Sequence, residues 1–213
     1  MTPQAAARRS REIAELAPVI PVLVLEDARD ARPLAEALVK GGLPVLEVTL
    51  RTEAALDVIA EMAQVPGGVV GAGTLLTADD VAAAVKAGAT FGVSPGATDY
   101  LLDACETEEL PLLPGSATAT EAMVLLERGY TMQKFFPAEA AGGAAALKAI
   151  GAPLPQISFC PTGGIDLAKA PSYLSLPNTV CVGGSWVAPK AMIAAGDWDG
   201  ITALAAEAAA LPR

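Results

Sequence analysis

The sequence predicts an α/β fold, a compact (β/α)8 TIM barrel with an N-terminal helix, as one domain over residues 1–213. Three observations predict it. Short β-rich runs recur about every 20 to 26 residues, with helical stretches between them. Those stretches end on glycine shortly before the next strand, so that cap, helix, glycine and strand form a repeating unit. Finally, PVLEVTLRT (Pro44 to Thr52) alternates Leu46, Val48 and Leu50 with Glu47, Thr49 and Arg51. In an antiparallel sheet that polar row would face water; in a parallel sheet both faces are covered and the row is buried.

The elements follow in order. MTPQAAARRSREIAELAPV carries Glu12 and Glu15 among its arginines and leads into no long apolar run, so residues 3–17 read as an amphipathic helix rather than a signal peptide. Strands are expected at Ile20–Glu26, Val45–Leu50, Val69–Thr74, Phe91–Pro95, Leu110–Gly115, Met132–Pro137, Gln156–Thr162 and Val180–Gly184. Between them, ARPLAEALVKGG stops at glycine, TADDVAAAVKAG opens on Thr77 and stops at Gly88, and TATEAMVLLERG has a capping box at Thr118 and Glu121 and stops at Gly129. Eight units of this kind favour parallel strands joined by right-handed crossovers and closed into a barrel, although the chain is short for that fold. The competitor is a doubly wound open sheet, but no GxGxxG follows the first strand. In a barrel, Leu46, Val48 and Leu50 suit the helix layer, and Glu47, Thr49 and Arg51 point into the lumen, where an ionised pair is costly unless it is bonded or useful.

Composition narrows the function. A net charge of −10 argues against nucleic acid and anionic membrane surfaces as partners and gives no long-range attraction for an anionic metabolite. No stretch suggests a membrane span. Three cysteines, Cys105, Cys160 and Cys181, read as reduced buried thiols of a cytoplasmic protein. Histidine is absent altogether, which removes Ser-His-Asp and Cys-His catalysis and every His-ligated zinc site. Proton transfer then falls to carboxylates, lysine, tyrosine, cysteine or water.

The second chemical signal is TMQKFFPAEAAGG. Lys134 lies inside an apolar strand, two residues ahead of Phe136 on the same face, whereas Lys40, Lys86, Lys148, Lys169 and Lys190 sit in helices or connections. Such a lysine is either structural, pairing with a carboxylate, or a Schiff-base nucleophile. Attack on a carbonyl needs the neutral amine. Desolvation beside Phe136 and repulsion from Arg51 favour that form, and a close Glu47 opposes it. The third signal is a glycine pair at each of the last two strand ends: Gly163–Gly164 in CPTGGI and Gly183–Gly184 in CVGGSW, the latter followed by Ser185. Tight turns explain glycine pairs equally well, but in these barrels the loops after strands seven and eight are the frequent phosphate site. Thr74, Pro95 and Thr162 also fall at expected C-terminal strand ends.

Taken in order, PVLEVTLRT, GAGT, SPG, KFFPAE, FCPTGGI and GGSW resemble the 2-keto-3-deoxy-6-phosphogluconate (KDPG) and 4-hydroxy-2-oxoglutarate aldolases, a class I aldolase family. The resemblance runs from about Pro18 to the C-terminal helix. It implies reversible cleavage of KDPG to pyruvate and glyceraldehyde 3-phosphate without a metal or other cofactor, in a homotrimer. By resemblance Lys134 is the imine-forming lysine and Glu47 the general acid/base. Arg51 and Thr74 contact the pyruvate carboxylate, and Pro95 and Phe136 line that half of the pocket. Thr162, Gly163, Gly164, Gly183, Gly184 and Ser185 hold the distal hydroxyl and phosphate. Two short stretches depart from the family pattern. Ser116 and Ala117 stand where a larger aliphatic residue and then a small hydroxyl residue are expected, and Gln133 stands where an aromatic is common. Ser116 is expected to alter contacts along the substrate chain, and Gln133 to face the helices and need a hydrogen-bond partner there. Rival readings are the same chemistry on 2-keto-3-deoxy-6-phosphogalactonate or 4-hydroxy-2-oxoglutarate and, from another class, a non-catalytic barrel that binds a phosphorylated metabolite.

Overall fold

The computed structural model describes residues 1–213. Its strands are β1 (Val19–Leu23), β2 (Val45–Thr49), β3 (Val69–Gly73), β4 (Phe91–Val93), β5 (Leu112–Leu113), β6 (Gly115–Ser116), β7 (Met132–Phe135), β8 (Ser158–Pro161) and β9 (Val182–Gly184). Every pairing is parallel. Six strands run in the order β5-β4-β3-β2-β1-β9 and three in the order β6-β7-β8. Bridges between Phe159 and Thr179 and between Thr162 and Gly183 join β8 to β9. β5 and β6 are one stave interrupted at Pro114, whose carbonyl still accepts from Lys134 N–H at 2.8 Å. The result is the closed (β/α)8 barrel.

The expected strands were too long at several ends. The first pairs over Val19–Leu23 rather than Ile20–Glu26, and the fifth is split because Pro114 has no N–H to donate to a ladder. The helix signals hold locally. α4 (Ala78–Ala87) has a capping box between Thr77 and Asp80 and ends at Gly88, and α6 (Ala119–Arg128) has one between Thr118 and Glu121 and ends at Gly129. α2 (Ala31–Lys40) ends at Gly41, α3 spans Ala55–Met62, and α5 spans Asp99–Thr107. No helix is long and apolar enough to cross a membrane.

Two apolar bodies make the core, as strand alternation requires. The larger lies between staves and helices and contains Leu46 and Val48, with Leu50 packed against it. The smaller fills the lower lumen with Ile20, Val45, Phe91, Val93, Leu113, Met132, Cys160 and Cys181. Helix α1 (Pro3–Ala14) closes the bottom, inserting Ile13 and Ala14 into this cluster, while Ser10 donates to Leu112 O at 3.0 Å. Two residues further along the same faces, the lumen changes character. Val45 gives way to Glu47 and Thr49, Met132 to Lys134, Cys160 to Thr162 and Cys181 to Gly183. A greasy floor therefore carries a polar upper layer at the C-terminal ends of the strands.

Candidate active site

That layer borders a cavity of about 310 Å³. All twelve site residues expected from the sequence line it: Glu47, Arg51, Thr74, Pro95, Lys134, Phe136, Thr162, Gly163, Gly164, Gly183, Gly184 and Ser185. Val22, Thr49 and Ile165 line it as well. Each of these three had a signal. Val22 is two residues beyond lumen-facing Ile20, Thr49 two beyond Glu47, and Ile165 directly follows a glycine pair.

Lys134 and Glu47 form the centre. Register pairs Lys134 with Cys160 on one side and with Gly115 on the other, so its side chain is held by a strand bonded along both edges. Only 5% of Lys134 and 2% of Glu47 is exposed. Lys134 Nζ lies 3.5 Å from Glu47 Oε1 and 4.9 Å from the centre of the Phe136 ring. The pair is close enough for a strong Coulombic contact but lacks hydrogen-bond alignment, and Glu47 Oε1 accepts no bond from the protein. A buried carboxylate oxygen without a donor is costly, which is unusual where the only task is to hold a barrel together.

The surrounding backbone makes room for this carboxylate. Gly73 is the register partner of Thr49, and a Cβ built on it would stand 2.4 Å from Glu47 Oε1. The next residue, Thr74, has φ +63°, a left-handed conformation that a β-branched residue adopts only under strain. Thr49 Oγ1 donates to Leu23 O at 2.9 Å, fixing β2 against β1 beside Glu47. Arg51 lies past the last paired residue of β2, in an exposed turn at the rim. On the far side the cavity is bounded by the loops after β8 and β9, where Gly163 and Gly164 both have positive φ.

The expectation for Ser116 is corrected. It does not line the cavity; it is buried toward α6, where Ser116 Oγ donates to Gln133 Oε1 at 2.9 Å. Gln133 Nε2 donates to Ala122 O and Tyr130 O, both at 3.0 Å, so the glutamine does face the helices and its amide is satisfied. The two departures are thus partners of one another. The thiols are free and buried, and no group of three or more potential metal-ligating side chains occurs.

A buried amine, an acceptor carboxylate beside it, a guanidinium at the rim and a glycine-lined far wall suit capture of a carbonyl carried by an anionic chain. Several known proteins are close in sequence and fold. The family profile of KDPG and KHG aldolase matches residues 11–204. The 2-dehydro-3-deoxy-phosphogluconate aldolase of Pseudoalteromonas atlantica is 54% identical over 202 residues, covering 94% of each chain. Among solved structures, the 2-keto-3-deoxy-6-phosphogluconate aldolase of Zymomonas mobilis with 3-phosphoglycerate superposes with TM-score 0.92 at 51% identity, covering 97% of this chain and 98% of that one. The KDPG aldolase of Legionella pneumophila, with pyruvate captured at low pH as a covalent carbinolamine intermediate, gives TM-score 0.91 at 46% identity over 94% and 98%. With the barrel and nearly the whole length in common, this chain belongs to the KDPG and KHG aldolase family.

Proposed function

We propose that the protein is a class I aldolase that cleaves KDPG reversibly to pyruvate and glyceraldehyde 3-phosphate. The observation that carries this reading is the Lys134 amine, enclosed at the mouth of the barrel 3.5 Å from a carboxylate oxygen that no protein donor uses. Lys134 Nζ adds to the C2 carbonyl carbon, giving a carbinolamine that loses water to a protonated imine. The C3–C4 bond then breaks. Its electron pair moves into the C=N⁺ group to give the enamine of pyruvate, while Glu47, directly or through water, removes the C4 hydroxyl proton so that the aldehyde departs. Protonation at C3 and hydrolysis release pyruvate and restore the amine. Arg51 and Thr74 hold the substrate carboxylate so that C2 meets the amine in attack geometry, and Pro95 and Phe136 wall that half.

Thr162, Gly163, Gly164, Gly183, Gly184 and Ser185 receive the distal hydroxyl and phosphate. The 3-phosphoglycerate held by the Zymomonas relative, a three-carbon phosphate, is consistent with that role. The carbinolamine in the Legionella relative is consistent with the nucleophile. We read the protein as a cytoplasmic homotrimer. Three free buried thiols suit a reducing compartment. Leu76, Tyr100, Met123 and Val124 are large apolar residues left exposed on α5, α6 and the loop before α4. Incubation with pyruvate and borohydride followed by intact mass tests the chemistry. One reduced pyruvyl adduct on the Lys134 peptide is expected, and an unlabelled protein would leave only a binding barrel.

A further inference from the structure

The loop after β8 is held from behind in an unusual way. Three successive carbonyls are each bonded on the side away from the cavity. Thr162 O accepts from Ala138 N–H at 2.8 Å, Gly163 O from Glu139 N–H at 3.1 Å, and Gly164 O from Lys169 Nζ at 2.9 Å. None of Ala138, Glu139 and Lys169 lines the cavity. A trans peptide points its N–H and C=O in opposite directions. Drawing the Gly163 and Gly164 carbonyls outward therefore turns the N–H groups of Gly164 and Ile165 inward, and neither donates to an acceptor in the chain, while the Gly163 N–H is directed to Gly183 across the parallel bridge. Gly164 and Ile165 do line the cavity, so two free donors stand in series at the end expected to take an anion.

Two of the outer anchors are main-chain groups; only the third is a side chain. The Lys169 ammonium is itself fixed, 3.1 Å from Glu139 Oε2 and 4.0 Å from Asp166 Oδ2. Tyr173 OH donates to the other oxygen of Glu139. Those hydrogen bonds from Tyr173 and Lys169 hold the Glu139 carboxyl below the usual range, so it stays ionised. The loop sits directly on this carboxylate arm: at Gly164, φ is +77° and an added Cβ would meet Glu139 Cγ at 2.9 Å. Lys169, a surface cation by sequence, is thereby tied to the peptide that presents Ile165 N–H.

We infer that Lys169 is a positioning residue for the phosphate end of the substrate, fixing and polarising the Gly164–Ile165 peptide so that its N–H binds the phosphate dianion. A cation on a peptide carbonyl strengthens the donor at the other end of that peptide. The residue thus sets the preference for a phosphorylated over an unphosphorylated 2-keto acid aldol, an inference that rests on the aldolase reading of the cavity.

The test measures kcat and KM of wild type and Lys169→Met on KDPG and on its dephosphorylated analogue, 2-keto-3-deoxygluconate, with inorganic phosphate binding followed by calorimetry. The substituted side chain is half exposed, so the fold is retained. KM for KDPG should rise about fivefold to twentyfold, as expected for loss of a charge-assisted hydrogen bond acting through one peptide. For the analogue, kcat/KM should stay within about twofold, and phosphate should bind more weakly in parallel. The discrimination should persist at about 1 M salt, where the Debye length falls to about 3 Å. Equal losses on both substrates, no loss on either, or disappearance of the effect in salt overturns the inference. If wild type cleaves neither substrate, the aldolase reading fails on its own, and unchanged phosphate affinity in Lys169→Met would separately overturn the cradle.

Discussion

Lys134 Nζ and Glu47 Oε1 face each other across 3.5 Å of buried space without forming an aligned hydrogen bond. An ion pair optimised for stability would close that gap, because a buried charge recovers its desolvation cost only through good geometry. The gap leaves the carboxylate able to serve another hydroxyl and the amine able to reach a carbonyl.

Replacing each member should therefore have a different signature. Lys134→Ala should abolish turnover and borohydride-trapped labelling by pyruvate together. Glu47→Gln should lower kcat by about 10² to 10⁴-fold, the usual range for a lost general acid–base group. Labelling of Lys134 should remain in that variant, only slower. Aldolase activity in the lysine variant would refute the nucleophile assignment.

Gly73→Ala tests the room made for Glu47 without touching either functional group. The new methyl would occupy a point 2.4 Å from Glu47 Oε1 and 2.7 Å from its Cγ, so the carboxylate must swing away. Displacing a catalytic group by about 1 Å can cost about 10²-fold in rate. Steady-state kinetics should show kcat falling by about that factor, with KM much less affected. A fully active Gly73→Ala enzyme would mean that the position of this carboxylate is not critical.

Why Glu47 and Lys134 were legible in the sequence is a matter of period two: on a stave covered on both faces, a polar residue among apolar ones has only the lumen to occupy. The glycine pairs were legible because the barrel's mouth lies at strand ends, which glycine marks. The break at Pro114 was not, since each half of that stave pairs over only two residues and leaves too little alternation to read. Lys169 read as a solvated cation because its partner, Gly164 O, comes within reach only when the loop folds back over Glu139. The expectation for Ser116 rests on the resemblance alone, which gives the position but not the direction of its side chain. One residue of register sends its side chain to α6 instead, where Gln133 meets it.

That Ser116–Gln133 contact makes a prediction about stability rather than catalysis. Gln133→Leu removes the acceptor of Ser116 Oγ and the donor to two main-chain carbonyls in a fully buried site. It should cost about 1 to 3 kcal/mol in urea unfolding, the penalty for stranding buried polar groups. Ser116→Val in the same background should recover about 1 kcal/mol, so the double-mutant cycle should show coupling. KM for KDPG should not move, because neither side chain lines the cavity. Strict additivity would show that the two residues are unconnected energetically.

The buried thiols contribute to the loss of stability at alkaline pH. Cys105, enclosed in α5, is pushed from 9.0 up to about 12, first by burial and then by the neighbouring Glu106 carboxylate. Cys181 moves in the same direction through the neighbouring Cys160 thiol and its burial. A native thiol that holds its proton while the unfolded one loses it contributes stability that is complete below pH 9 and is lost as pH rises toward 12. Over that window the unfolded chain binds fewer protons than the native one, so the slope of unfolding free energy against pH is negative. Urea midpoints of the wild type should fall from pH 9 upward. Cys105→Ala should lie lower at pH 8, from lost packing, but fall less steeply over the same range. A thiol reagent at pH 8 should count no reactive cysteine in the folded protein and three after unfolding. Parallel pH profiles for wild type and Cys105→Ala would show that this thiol ionises as readily in the fold as outside it.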